Sequence, residues 1–215
     1  MKDESRNPNP SRMRGAVLWG TLGTLGLIPV LLAANSPLLG YRGVAYIIGG
    51  FAGIICLSIL LVQPLLPAGY LPGVTAATGR WLHRWTGTAI VSCVTLHVGG
   101  LYITSPPDTL DALFLVSPTP FSVYGVIALW ALLITALLVA LRRRLPVGLR
   151  VWRLLHNALA LVAVLATVIH AVQIDGAMEP LSKTILCGAV MLTTLLAFID
   201  LRVIRPLLAR RRRSA

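Results

Sequence analysis

Six long apolar runs dominate this sequence of 215 residues and leave one kind of fold open to it. The runs cover approximately residues 15–35, 43–66, 78–103, 121–141, 151–174 and 183–207. Each is close to the roughly 20 apolar residues that an α-helix needs to cross a bilayer. Because lipid offers no partner for backbone polar groups, such runs predict helices rather than open strands. The sequence therefore predicts an all-α fold, a polytopic bundle of six transmembrane helices.

Composition excludes a soluble domain. Hydrophobic residues make up 56% of the chain and charged residues 12%, with a mean hydropathy of +0.81. The net charge of +12 would suggest nucleic acid as a partner in a soluble protein, but the basic residues stand at the ends of apolar runs. A lipid bilayer is therefore the expected partner, and nucleic acid is not. Cys56, Cys93 and Cys187 all lie inside apolar runs, which is neither a disulfide framework nor a zinc spacing.

The distribution of basic residues predicts the orientation. If the first helix starts in the cytoplasm, 17 of the 19 Lys and Arg residues lie on the cytoplasmic side, and only Arg42 and Lys183 do not. Both termini are then cytoplasmic, and we expect a bacterial inner membrane. The predicted division is a cytoplasmic segment 1–14, a six-helix domain 15–207 and a basic tail 208–215, whose arginines at 210–213 suit anionic lipid.

Two alternatives concern the ends and the loops of the chain. The first run could be a signal peptide, since residues 33–35 faintly resemble a cleavage site, but its length favours a signal-anchor helix. The longest outer loop has about 17 residues, and no glycine-rich phosphate-binding motif follows a strand. We therefore expect that this chain binds neither NAD(P)H nor flavin in a domain of its own.

The chain has four histidines, and all of them fall in predicted helices three and five. His83 and His97 are 14 residues apart in one helix, and His156 and His170 are 14 apart in the other. This spacing spans about 21 Å and brings both histidines to nearly the same side of their helix. If the two helices face each other, two histidine pairs form at two depths, and each could clamp a planar macrocycle.

The similarity between the two helices extends beyond the histidines. Both contain Arg-x-Leu-His, then 12 intervening residues, and then an aliphatic residue directly before the second histidine. Arg80 and Arg153 stand one turn before the inner histidines and could reach the carboxylates of a cofactor. They could also be plain positive-inside anchors. Gly87 and Ala160, four residues after the inner histidines, would let a ring lie against the helix or would serve helix packing.

Haem is the metal group that this pattern favours. Zinc needs three or four protein ligands around one ion, which two pairs separated by about 21 Å do not provide. Haem iron takes four nitrogens from its porphyrin and needs only two axial ligands. Ionisable residues at membrane depth are costly and usually functional, although a histidine there can also be a proton relay. The sequence thus predicts haems between helices three and five, with the four histidines as metal ligands.

With these motifs the chain resembles the ferric reductase-like transmembrane superfamily, which includes ferric reductases, NADPH oxidases and the haem-binding membrane subunit of the periplasmic methionine sulfoxide reductase system. The resemblance covers about residues 43–205 and is most specific in 79–97 and 152–170. It implies two b-type haems and transmembrane electron flow. It also implies that His83 pairs with His156 at the inner haem and His97 with His170 at the outer haem.

Three functions follow as hypotheses. The first is a di-haem cytochrome that takes single electrons from a cytoplasmic flavoprotein reductase or a quinone. It would pass them to an outer acceptor such as Fe(III), oxygen or a periplasmic oxidoreductase. The second is a membrane subunit of a periplasmic system, as in methionine sulfoxide reduction; the chain length and the residues around His156 are similar to that subunit. The third is a proton or metal transporter, for which Asp200 is the one candidate carboxylate, and a local ion pair beside Arg202 explains Asp200 better.

Overall fold

The computed structural model describes residues 10–214, with the side chains of 13–209 and of Arg211, and this part of the chain contains helices and no β-strand. The helices are α1 Pro10–Ala34, α2 Val44–Val62, α3 Leu65–Ala68, α4 Ala76–Thr104, α5 Pro106–Leu113, α6 Pro120–Ala140, α7 Leu149–Gln173, α8 Pro180–Ile199 and α9 Arg205–Ser214. A 3₁₀ turn, Pro37–Tyr41, follows α1, and a π-helical segment, Asp200–Ile204, joins α8 to α9.

Six helical segments of the described chain are long and apolar enough to cross a membrane. They are Met13–Ala34, Val44–Ala68, Ala76–Thr104, Pro120–Ala140, Leu149–Gln173 and Pro180–Ala209. The predicted all-α, six-helix membrane fold is confirmed, and each predicted end lies within three residues of the observed one. Most of the segment 1–14, and the side chains of three of the four arginines at 210–213, lie outside the described residues.

Caps and prolines explain where several helices begin. The Thr75 hydroxyl accepts a hydrogen bond from the Thr78 amide at the start of α4. At α8 the Glu179 carboxylate accepts from the amides of Ser182 and Leu181, and these two bonds hold the pKa of that carboxyl below its usual value. Prolines begin α5, α6 and α8, where the missing N–H costs nothing. The short α5 lies in the loop between α4 and α6, and the apolar runs of the sequence do not predict it.

The best-buried side chains lie between α2 and α8. Leu61, Leu186, Val190 and Cys187 are almost completely buried there. The Thr193 hydroxyl on α8 also donates to the Leu61 carbonyl at 3.3 Å. Around this core, α2 packs against α1 and α4, while α7 packs against α6 and α8. The close partner of α4 is thus α2, and the close partner of α7 is α6.

Two glycines allow α2 and α4 to approach closely. A Cβ atom added to Gly100 would lie 2.6 Å from the Ala45 carbonyl oxygen and 2.8 Å from the Gly49 Cα. A Cβ added to Gly49 would lie 3.1 Å from the carbonyl oxygen of His97. Small residues at such a crossing let backbones touch, which is how membrane helices gain dispersion energy without a hydrophobic driving force. The crossing fixes His97 against α2.

The ion pair expected for Asp200 forms, but with a different partner. Arg205 donates from Nε to the Asp200 carboxylate at 2.8 Å, whereas Arg202 donates to the carbonyl of Arg153 at 3.4 Å. The reason is the π-helical segment, which changes the register between Asp200 and the arginines that follow it. Tyr70 completes the cluster by donating its hydroxyl to Asp200, and burial together with this bond raises the pKa of the Tyr70 phenol.

We expect Gly100→Ala to destabilise the protein by about 1–3 kcal/mol, because the new methyl group overlaps backbone atoms of α2. The matched control is Gly99→Ala, since a Cβ at Gly99 meets nothing within 4 Å. The measurement is the thermal midpoint of both variants and the parent in one detergent. Equal midpoints for Gly100→Ala and Gly99→Ala would contradict the close crossing.

Candidate functional site

All four histidines face the region between α4 and α7. His83 and His97 lie on α4, and His156 and His170 lie on α7. The ring centroids of His83 and His156 are 6.2 Å apart, with an interplanar angle of 74°. Those of His97 and His170 are 6.3 Å apart, with an angle of 80°. The structure therefore brings the predicted partners together as two separate pairs of nearly equal geometry.

The pairs lie at two depths of the bundle. Within each helix the two histidines are 14 residues apart, which corresponds to about 21 Å along the axis. Nowhere among residues 10–214 do three or more His, Cys, Asp or Glu side chains gather as they would around a metal ion. A metal ion at either pair would therefore have two protein ligands, and its other ligands would come from a different group.

Three of the four rings are oriented by backbone carbonyls of a neighbouring helix. Nδ1 of His97 lies 2.8 Å from the Gly49 carbonyl oxygen, and Nδ1 of His170 lies 2.8 Å from that of Phe121. His83 makes the same contact with Gln63 at 3.1 Å. A carbonyl only accepts, so Nδ1 carries the proton and donates in each case. The lone pair of Nε2 is then available to a metal ion.

The sequence explains why the Gln63 carbonyl is available. In a helix the carbonyl of residue 63 would accept from the amide of residue 67, but Pro67 has no N–H, and the Gln63 oxygen is left for His83. The Gln63 side chain adds to this contact. Its Nε2 donates to the His83 carbonyl at 3.1 Å, and its Oε1 accepts from the Thr86 hydroxyl. Gln63 thus fixes both the ring and the backbone of His83.

Glycines make room for the two rings of the other pair. A Cβ on Gly53 would lie 3.0 Å from His97 Nδ1, and a Cβ on Gly125 would lie 2.8 Å from both Nδ1 and Cε1 of His170. Each glycine comes four residues after the residue whose carbonyl accepts the histidine proton, Gly49 in one case and Phe121 in the other. One turn of α2 and one turn of α6 therefore hold an imidazole in the same way.

His156 is held differently from the other three. Its Nδ1 is buried and has no hydrogen-bond partner among the described residues. Instead the ring stacks on Trp152, with centroids 5.3 Å apart and planes only 6° apart. The Trp152 indole N–H donates to the Leu138 carbonyl at 3.3 Å, and the Arg142 guanidinium lies 5.5 Å from the indole centroid. The Trp152 indole therefore contacts the His156 ring where the other three histidines have a backbone carbonyl.

Among the described residues, no hydrogen bond joins either of the two predicted arginines to a histidine. Arg80 is exposed, and Arg153 is exposed and donates to the Leu149 carbonyl of its own helix at 3.3 Å. Their role towards the carboxylates of a cofactor stays a prediction. Gly87 has a clearer place, since a Cβ there would lie 3.3 Å from the Gln63 amide nitrogen. It makes room for the side chain that holds His83.

Sequence reasoning missed Gln63, Gly53, Gly125 and Trp152. A signal for the two glycines was present, because the helix pair α2–α4 recurs as α6–α7 at a nearly constant offset. Gly53 and Gly125 are 72 positions apart, while His97 and His170 are 73 apart, as are His83 and His156. A comparison of the two halves at an offset of 72 residues aligns Gly53 with Gly125. Trp152 stands one turn before His156 on the same predicted helix, but nothing in the sequence alone shows that the two rings stack.

Comparison with known proteins finds a matching family model. Residues 49–167 match the family model described as the ferric reductase like transmembrane component. The matched segment begins at the glycine whose carbonyl binds His97, contains three of the four histidines and ends three residues before His170. No curated protein and no solved structure matches the chain. Since the match covers more than half of its length, the chain belongs to the ferric reductase like transmembrane component family.

Proposed function

We propose that this chain is a di-haem b-type membrane cytochrome that passes single electrons across the membrane. The family is one of transmembrane electron transfer, and the observation that supports two haems is the pair of His–His contacts at 6.2 and 6.3 Å. His83 and His156 would bind the inner haem, and His97 and His170 the outer haem. The basic ends of the helices support a cytoplasmic location for the inner pair.

The residues of both pairs fit a haem. A metal–imidazole bond is about 2 Å long and the ring nitrogen is about 1 Å from the ring centroid, so two imidazoles that hold one metal ion would have centroids at most about 6 Å apart. The observed separations agree with this value. The Nδ1 bonds of His83, His97 and His170 fix the tautomer that leaves Nε2 free to bind iron. The glycines next to His97 and His170 keep the rings in place without strain.

The chemistry available at such a site is electron transfer. Haem, when bound, supplies a reversible one-electron change at iron. The two histidines of each pair would hold the haem, which would supply electron transfer rather than a place for a substrate to bind. The helices hold the two sites at a fixed separation. The apolar faces around the histidines exclude water from them.

The electron partners follow from the proposed orientation. A cytoplasmic flavoprotein or a membrane quinone would supply electrons at the inner pair, and Fe(III), oxygen or a periplasmic oxidoreductase would accept them at the outer pair. The six-helix domain at 15–207, with the segments 1–14 and 208–215 in the cytoplasm of a bacterial cell, is part of this proposal. Arg80 and Arg153 remain candidates for the carboxylates of the inner haem.

We expect the purified protein to show a low-spin b-type reduced-minus-oxidised spectrum with about two haems per chain. His97→Ala should remove the outer haem and leave about one, because a single axial histidine remains there. His83→Ala should likewise leave about one, with a different spectrum. The measurement is haem per chain by the pyridine haemochrome method. Two haems retained in His97→Ala would contradict the ligand assignment, and a colourless parent protein would contradict the function.

We expect Gly125→Ala to weaken the outer site alone, because the added methyl group would displace the His170 ring from the Phe121 carbonyl. When a metal-binding histidine loses the hydrogen bond that orients it, metal affinity falls by roughly 10–100-fold. Gly50→Ala is the control, since a Cβ there meets nothing within 4 Å. Haem retention during dilution into haem-free detergent separates the two variants. Equal retention would show that Gly125 does not position His170.

We expect Trp152→Leu to disturb the inner site alone, because the indole is the group that His156 stacks on. The low-spin electron paramagnetic resonance signal of the inner haem should shift, and this haem should dissociate about tenfold faster. Trp85→Leu is the control, as Trp85 on α4 is 59% exposed and contacts Trp81 instead. A shift in the outer signal, or in neither, would contradict the role given to Trp152.

A further inference from the structure

A cleft between α7 and the end of α8 lies apart from the histidines. Its volume is about 380 Å³, and it is lined by Arg150, Leu154, Asn157 and Leu161 of α7 together with Phe198 and Arg202. At 100° per residue, positions 150, 154, 157 and 161 form one stripe on α7. His156 falls about 130° from the middle of this stripe, on the other side of the helix. None of the four histidines lines the cleft.

The cleft is polar at one end and apolar along the rest. Arg150 stands in the first turn of α7, and Arg202 lies in the π-helical segment after α8. Leu161 lies 11 residues further along α7, about 16 Å from Arg150, and Phe198 lies on α8 beside it. Leu154, between these ends, is 68% exposed within a membrane-spanning segment. The apolar part of the cleft therefore opens towards lipid.

The positive charge of the cleft is not neutralised within the described chain. The lining includes no carboxylate, and the ion pair described in residues 13–209 joins Asp200 to Arg205 instead. Arg202 donates from one nitrogen to the Arg153 carbonyl at 3.4 Å, which holds the guanidinium in place and leaves its other N–H groups available. Two guanidinium groups at a membrane boundary suit an anionic phosphate, which they bind with paired hydrogen bonds.

We propose that the cleft binds an anionic phospholipid. The phosphate lies between Arg150 and Arg202, the Asn157 amide contacts the glycerol ester, and an acyl chain follows Leu161 and Phe198. The apolar half of the cleft is the reason for choosing a lipid over a free phosphate. Basic pockets between helices at a membrane surface are typical sites for anionic headgroups. The proposal requires an embedded helix bundle and does not depend on haem.

The test is native mass spectrometry of the full-length protein released from nanodiscs that contain equal amounts of phosphatidylglycerol and phosphatidylcholine. We expect the parent protein to retain phosphatidylglycerol, and R150Q/R202Q to retain at least tenfold less. The control is R143Q/R144Q, which removes the same charge from exposed arginines of the neighbouring turn that do not line the cleft. It should retain the lipid within twofold of the parent.

Three results would overturn the proposal. They are equal retention by R150Q/R202Q and the parent, equal retention of the two lipids by the parent, and full displacement of the lipid by millimolar inorganic phosphate. The last would show that the apolar half contributes nothing. If the double variant fails to fold, R150Q alone serves, because the exposed Arg150 side chain makes no described hydrogen bond, and at least threefold lower retention is expected. Retention equal to the parent in R150Q would also overturn the proposal.

Discussion

A buried imidazole N–H is costly without an acceptor, and the arrangement of the central helices gives three of the four histidines a backbone carbonyl. In lipid an unpaired polar group costs several kcal/mol, and helix backbones normally use all their carbonyls internally. Here carbonyls of Gly49 and Phe121 accept a second hydrogen bond from a histidine of the next helix. This requires close contact between the ring and the backbone of that helix. Glycines at 53 and 125 provide the space.

The same requirement explains the internal repeat of the bundle. Helices α2 and α4 form one unit and α6 and α7 another, and each unit carries its histidines on the second helix. The carbonyls that bind His97 and His83 belong to residues 49 and 63, which are 14 positions apart, as the histidines are. In the second unit the corresponding positions are Phe121 and Thr135. The Phe121 carbonyl accepts from His170, but no hydrogen bond joins Thr135 to His156, whose Nδ1 has no partner among the described residues.

The sequence predicts the helices and the histidine pairs well for physical reasons. Helix length follows from bilayer thickness, and a spacing of 14 fixes both the depth and the side of each histidine. What the sequence could not show is which atoms hold the rings. The contacts of Gln63, and those of Trp152 with Leu138 and Arg142, depend on how neighbouring helices are rotated and shifted, and apolar periodicity does not determine this. The ion pair of Asp200 with Arg205 was not predicted for a similar reason, since nothing in the sequence indicates a π-helical segment.

The two histidine pairs are unequal in how they are connected to the rest of the protein. The pair at 97 and 170 is held by carbonyls inside long helices, which move only if a whole helix moves. His156 rests on Trp152, and Trp152 in turn contacts the Leu138 carbonyl and Arg142, at the turn between α6 and α7. Stacking fixes the plane of the His156 ring but not its tautomer or its rotation within that plane. This basic turn therefore contacts His156 through one indole ring, whereas the hydrogen bonds that hold His97 and His170 do not involve it. On the proposed function, this makes the inner site the one that a protein bound at the cytoplasmic surface can adjust.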